Sequence, residues 1–170
     1  SKGTAATVDP QEKEKLFSNY ATLGFGNYGT ANAELFITKN ISRTSYVGGM
    51  LRHLSSQGGI KDLVLDDKYS NTSLDVTYGV RERNLSWNID LGVKNQMYNW
   101  YGLPTENIVF DETTIKSIDS KQSYNTIALG GKVDFKASFF SGADMQFKHF
   151  SDGLNSSENR FFIKSNFDFQ

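Results

Sequence analysis

Apolar and polar residues alternate along most of this chain, most regularly between Leu85 and Lys94. There Leu85, Trp87, Ile89, Leu91 and Val93 alternate with Ser86, Asn88, Asp90, Gly92 and Lys94. Because successive side chains of a β-strand point to opposite faces, the segment predicts a strand with one apolar and one polar face. Residues 73–81 repeat the pattern. Since Glu82 and Arg83 leave room only for a tight turn between the two segments, they predict a hairpin.

The same alternation predicts eight antiparallel strands in all. The other six segments lie at about residues 21–25, 33–37, 46–54, 126–135, 139–148 and 160–169, and 46–54 alternates most weakly. We therefore expect two regions, a flexible polar lead at residues 1–15 and antiparallel β-barrel strands at residues 16–170.

The predicted connections differ in length in a regular way. From the third strand onward they are long at 57–71 and 102–123, short at 82–83 and 136–137, and intermediate at 152–158. Outer-membrane barrels have short turns at one end and longer loops at the other. The first connection, around Gly29 and Thr30, is shorter than that rule expects.

Composition excludes several classes of protein. The chain has no cysteine, which rules out disulfides, a thiolate nucleophile and the common structural zinc sites. Its net charge is −1 with the two signs interleaved, so we expect no nucleic-acid partner. No run approaches 18 apolar residues, so we expect no transmembrane helix. The mean hydropathy of −0.47 suits a transmembrane barrel, in which only every second residue faces lipid.

Alternation alone does not say which way the apolar face points. Strands of about ten residues favour a membrane crossing. So do the aromatic residues Tyr98, Trp100 and Tyr101 near a strand end, where interfacial aromatics are enriched. The glycines and alanines on the apolar face are also unlike a densely packed interior. The alternatives are a soluble lipocalin-like barrel that binds a small apolar ligand inside, and a secreted adhesive sandwich.

Charged residues of both signs fall on the predicted polar faces. They are Asp75, Arg81, Asp90, Lys94, Lys132, Asp134, Asp144, Lys148, Lys164 and Asp168. In a narrow lumen such charges have to pair, because an unpaired buried charge costs several kcal/mol. In a wider barrel they line water. Our hypothesis is a lumen-facing wall, wetted or in contact with a plug, of a larger barrel, and the alternative is the solvated face of a soluble sheet.

Few residues suggest catalysis. Arg52-His53-Leu54-Ser55 and Lys148-His149-Phe150-Ser151 each bring a histidine to a strand end, which indicates either a ligand or metal site at a rim or residues that suit an interface. There is no nucleophile-elbow spacing and no HExxH run. Gly24-Phe25-Gly26 lacks the third glycine of a dinucleotide site. We expect no enzyme, no metal and no cofactor.

Three stretches resemble a known family. They are Gly24-Phe25-Gly26-Asn27-Tyr28 followed by Ala33-Glu34-Leu35-Phe36, the run from Arg52 to Lys61, and Trp100-Tyr101-Gly102-Leu103. Their order and spacing resemble TonB-dependent-receptor-like outer-membrane barrels of Bacteroidota, over about residues 16–104.

The resemblance implies an outer-membrane location, contact with outer-membrane lipid, and a barrel of more than eight strands. The resemblance further implies that the chain acts as a receptor or transporter, or as a barrel subunit that contacts other subunits of an outer-membrane assembly. The chain shows neither a signal peptide nor a plug domain, so we expect it to be a fragment, or a barrel kept as a scaffold.

Overall fold

The computed structural model describes residues 18–61, 63, 65–100, 102, 111–136 and 139–168. Within them the chain is all-β, with eight strands in one sheet. The strands are β1 (Tyr20–Gly26), β2 (Thr30–Asn40), β3 (Ser45–Ser56), β4 (Tyr69–Arg81), β5 (Leu85–Asn99), β6 (Lys121–Phe135), β7 (Phe140–Asp152) and β8 (Ser157–Phe167). A 3-10 turn at Asn27–Gly29 and a short helix, α1 (Glu112–Ser117), were not predicted. The predicted lead at residues 1–15 lies outside the described residues.

The topology is a simple up-and-down meander. Each strand pairs antiparallel with its neighbours in sequence, in the order β1 to β8. This confirms the predicted fold class and strand number. The sheet is open, because β1 and β8 do not pair with each other, and its form is consistent with part of a barrel.

The connections divide into two ends, as predicted. Residues 41–44, 82–84 and 136–139 form what we call the short-turn end, and residues 27–29, 57–68, 100–120 and 153–156 the long-loop end. In the first connection Tyr28 has φ of 62° and Gly29 of 61°. Two successive left-handed residues allow a very tight reversal, which explains why this connection is short although it lies at the long-loop end.

The sheet curves toward its polar face. One concavity of about 520 Å³ is lined by residues of six neighbouring strands, from Phe36 on β2 to Gln146 on β7. By the strand register, most of its lining residues point to the same side of the sheet as Asp75, Asp90 and Asp144. The polar face is therefore concave and the apolar face convex. Among the described residues no apolar side chain is buried, and large apolar side chains such as Ile89 (50% exposed) stand on the convex face.

Candidate functional site: two faces of one curved sheet

The concave face carries the predicted charges. The register shows this directly, since Asp75 pairs with Gly92, Gly92 with Ala128, and Ala128 with Lys148. By the same alternation the face includes Asp75, Arg81, Asp90, Lys94, Lys132, Asp134, Asp144, Lys148 and Lys164. Asp168 follows the last residue of β8, where its backbone N–H donates to Phe139 O at 3.0 Å. The charged residues that the sequence pattern grouped on the polar faces of the strands therefore lie on one surface of the sheet.

Further charges on this face were missed, among them Glu34 and Arg52. Glu34 on β2 pairs directly with Arg52 on β3. The Arg52 guanidinium lies 3.3 Å from Asp75 Oδ2, and both side chains are about half exposed. The signal was present in the sequence, because Glu34 alternates with Ala33 and Leu35. It was weak because Phe36, Met50 and Leu54 interrupt the polar series on β2 and β3.

Near the short-turn end the concave charges have polar partners. Lys132 Nζ lies 3.2 Å from Asp134 Oδ2. Asp90 accepts hydrogen bonds from the Thr77 hydroxyl and, at 2.5 Å, from Asn88 Nδ2. Mutual partners of this kind offset the loss of water around each charge. In this part of the face side chains therefore join β4 to β5, and Lys132 and Asp134 pair with each other on β6.

A glycine makes room for an aromatic ring on the concave face. A Cβ at Gly79 would collide with the ring of Tyr46 on the neighbouring strand. The Arg81 guanidinium lies 4.4 Å from the centre of the same ring. An aromatic side chain laid over a glycine stabilises a strand pair that the glycine alone would weaken.

An aromatic stack lies at the long-loop end of the concave face. The rings of Tyr98 and Tyr124 are 5.7 Å apart, and those of Tyr124 and Phe150 are 5.5 Å apart. Tyr98 has the same strand position as Lys94, so it faces inward. The alternation of β5 continues unbroken past Lys94, so this predicted interface aromatic lies on the concave face near the rim. Trp100 follows β5 and is 61% exposed at the rim, and Tyr101 lies outside the described residues.

The two histidines do not share a site. His53 on β3 is joined to Thr72 Oγ1 by a hydrogen bond of 2.8 Å, and His149 on β7 to Asn159 Oδ1 by one of 2.7 Å. Four strand spacings of about 4.8 Å separate β3 from β7, too far for both side chains to bind one ion. Among the described residues no group of three or more His, Cys, Asp or Glu side chains is arranged to hold a metal ion.

The convex face has an apolar band with sharp edges. One row of directly paired residues is apolar through six strands and polar on the last two: Ala21, Leu35, Leu51, Leu74, Val93, Ile127, His149 and Asn159. The next row toward the long-loop end is apolar on two strands only: Leu23, Ala33, His53, Thr72, Asn95, Asn125, Ser151 and Ser157. The polar part begins abruptly, and Asn95 donates across it to Asn125 at 2.7 Å.

The opposite edge of the band shifts in the same direction. A row nearer the short-turn end has one charged residue, on β2, and is otherwise apolar or aromatic. It consists of Lys39, Val47, Tyr78, Ile89, Gly131, Met145 and Ile163. The long-loop edge of the apolar band therefore lies nearer the short-turn end on the later strands than on the first two. A flat apolar layer crossed by tilted strands would produce this diagonal course, because each strand then enters the layer at a different residue.

Aromatic rings mark the short-turn edge of the band. Tyr78 and Trp87 lie 5.7 Å apart, and Phe140 lies 5.6 Å from Phe135 and 5.5 Å from Phe167. A register irregularity between Phe140 and Gly142 brings Phe140 opposite Phe167, on the convex face. A bulge re-aims a side chain in this way.

The longest described loop at the rim is held by one carboxylate. Asp67 accepts hydrogen bonds from the backbone N–H groups of Ile60 at 2.9 Å and Gly59 at 3.0 Å. These bonds, led by that from Ile60, hold the pKa of Asp67 below its ordinary value of 3.8. Gly59 has φ of 139° and lies so close to the Tyr28 ring that a side chain there would clash. The loop is thereby fixed against the first turn.

Within the described residues, no helix is both long enough and apolar enough to span a membrane. Comparisons of the chain with known protein families, with curated proteins and with solved structures found no match.

Proposed function

We propose that this chain forms part of the wall of an outer-membrane β-barrel, acting in transport or as a receptor, or as a barrel subunit of a larger outer-membrane assembly. The observation that carries the proposal is the exposed apolar band on the convex face, opposite a charged concave face. An outer-membrane barrel has an outward apolar band about 25 Å tall and a polar interior.

The dimensions of the band support this role. On β5 it runs from Leu85 to Val93, eight residue steps, or about 27 Å along the strand at 3.3–3.4 Å per residue. A strand tilt of 35–45° projects that length to roughly 20 Å, close to the height of a membrane barrel's apolar band. The diagonal course of the band and the rings at its short-turn edge agree with tilted strands and an aromatic girdle.

The curvature favours this proposal over a soluble lipocalin-like barrel. Such a barrel places its apolar residues on the concave side around the ligand, whereas here that side carries Asp75, Asp90 and Lys132. An adhesive sandwich needs two packed sheets, whereas the described strands form a single sheet. The sequence resemblance supports both the receptor or transport role and the role of a barrel subunit.

Tryptophan quenching tests the proposal. The chain has two tryptophans, so Trp100→Phe leaves Trp87 on the convex band as the sole probe, and Trp87→Phe leaves Trp100 at the rim as the matched control. In vesicles of phospholipid brominated on its acyl chains, we expect strong quenching of Trp87 and weak quenching of Trp100. Equal quenching of both, or full solubility of the chain without detergent, would contradict a lipid-facing band.

Single cysteines give a second, independent test, since the chain has no native cysteine. Leu91→Cys and Asp90→Cys place a thiol at adjacent residues on opposite faces. In vesicles we expect a membrane-impermeant maleimide to label the Asp90 variant and spare the Leu91 variant. The reverse pattern would mean that the apolar face is in water.

A further inference from the structure

Charge is unevenly distributed along the concave face. The concavity nearer the short-turn end has the carboxylates of Asp75, Asp90 and Asp144 against one lysine, Lys132. A second concavity of about 530 Å³ nearer the long-loop end has Arg52, Lys94 and Lys148 against Glu34 and Asp75. The second concavity therefore has the more positive lining of the two.

The three cations of this second concavity differ in their partners. Arg52 is held by Asp75 at 3.3 Å. Among the described residues, neither Lys94 nor Lys148 has a carboxylate within 4.0 Å. Two ammonium groups without a carboxylate partner in one concavity leave a local positive potential that an anion would relieve.

The sheet surface between these two lysines carries small residues. Lys94 on β5 pairs with Thr126 on β6, and Lys148 on β7 pairs with Ala128 on β6. Ala128 in turn pairs with Gly92. Two strand spacings and two residues along the strand put the Cα atoms of the lysines about 12 Å apart. Because this face of the sheet is concave, the Lys94 and Lys148 side chains lean toward each other. The small residues between them leave space between the two ammonium groups.

We propose that Lys94 and Lys148, with the Thr126 hydroxyl between them, form a binding site for a small solute that carries two or more oxyanion charges, such as a polycarboxylate or a phosphate. Each ammonium group donates to one oxyanion, and the hydroxyl donates between them. The inference deepens the proposed function and rests on it, because the concave face has to be open to water for a solute to arrive.

Calorimetric titration of the full chain in detergent tests the site, with citrate and inorganic phosphate as probes. We expect saturable binding at low salt that weakens as salt is raised. Lys94→Gln and Lys148→Gln should each weaken the binding about tenfold, which corresponds to about 1.4 kcal/mol, and the double variant should abolish it. The matched control is Lys164→Gln. Lys164 lies on the same face on β8, with Asp144 as its cross-strand neighbour, and its substitution should leave binding unchanged.

Two results would overturn the site. One is absence of binding of both probes at low salt. The other is equal loss in the Lys164 control, which would indicate only a general attraction to the charged face. Trp87 quenching in brominated lipid, measured on the same variants, separates the two proposals. Quenching without anion binding rejects the site alone, and anion binding without quenching rejects the membrane wall alone.

Discussion

The convex and concave faces are built from the same strands and differ in almost every physical property. Leu91 on the convex face is 45% exposed and contributes to a continuous apolar band, whereas its neighbour Asp90 is hydrogen-bonded to Thr77 and Asn88 on the concave face. A shift of one residue exchanges the two environments. Which face is convex and which is concave is then decided by the curvature of the sheet, a property of all the strands together.

The largest difference should come from adding a charge to each face. Leu91→Lys puts an ammonium group in the middle of the apolar band, and we expect it to lower the free energy of unfolding from a bilayer by about 2–4 kcal/mol. Gln146→Lys on the concave face should change it by less than about 0.5 kcal/mol. Urea unfolding from vesicles measures both, and similar losses for the two variants would argue that neither face contacts lipid.

Adding a methyl group to a glycine should also distinguish the faces. Gly79→Ala on the concave face forces the Tyr46 ring away from Gly79 and from Arg81, so we expect a loss of about 1 kcal/mol. Gly131→Ala on the convex face meets no atom closer than 3.9 Å and should cost little. Unfolding of Gly79→Ala combined with Tyr46→Ala provides the control, since removing the ring should remove most of the penalty.

A weaker effect should follow from breaking an ion pair of the concave face. Asp75→Asn removes the partner of Arg52, and because both side chains are about half exposed we expect a loss below about 1 kcal/mol that shrinks in high salt. A double-mutant cycle with Arg52→Gln isolates the interaction. A coupling of several kcal/mol would mean that the concave face is dry, and would reverse our view of it.

The smallest effect concerns the rim, where the two faces meet. Asp67 has a folded-state pKa below its ordinary value, so its contribution is fully present above 3.8 and is lost as pH falls through the lowered pKa. We expect hydrogen-exchange protection of the Ile60 amide to persist down to that range and then decline. Asp67→Asn should reduce the protection above that range and make little difference below it, where Asp67 is protonated. Protection that does not depend on pH in the unsubstituted protein would show that Asp67 does not hold the loop.

Strand number, pairing order and the two faces could be predicted from the sequence because a period of two residues records them locally. Tyr98 was chosen as an interface aromatic because it lies near a strand end, and counting on from Lys94 would also have shown that it lies on the concave face. Glu34 and Arg52 were missed because apolar residues share their face near the β1 edge, where Phe36 stacks on Tyr20 with ring centres 5.6 Å apart.

Other features depend on relations between strands and leave no local pattern. The bulge that turns Phe140 outward is invisible in a run that reads Phe139-Phe140-Ser141-Gly142. The diagonal course of the apolar band appears only after each strand has been aligned with its neighbour. The concavity with the unpaired lysines likewise needs three strands to be placed side by side, since Lys94 and Lys148 are far apart in the chain.

The diagonal course of the band also limits what can complete the sheet. If the shift of the long-loop edge continues, a strand added beside β8 begins its apolar stretch closer to the short-turn end, and one added beside β1 begins it farther away. A ring of strands can close around a lumen only when the accumulated offset matches across the last seam. In the proposed barrel, the angle of this sheet to the apolar layer would therefore restrict the number and register of the strands that could join its two edges.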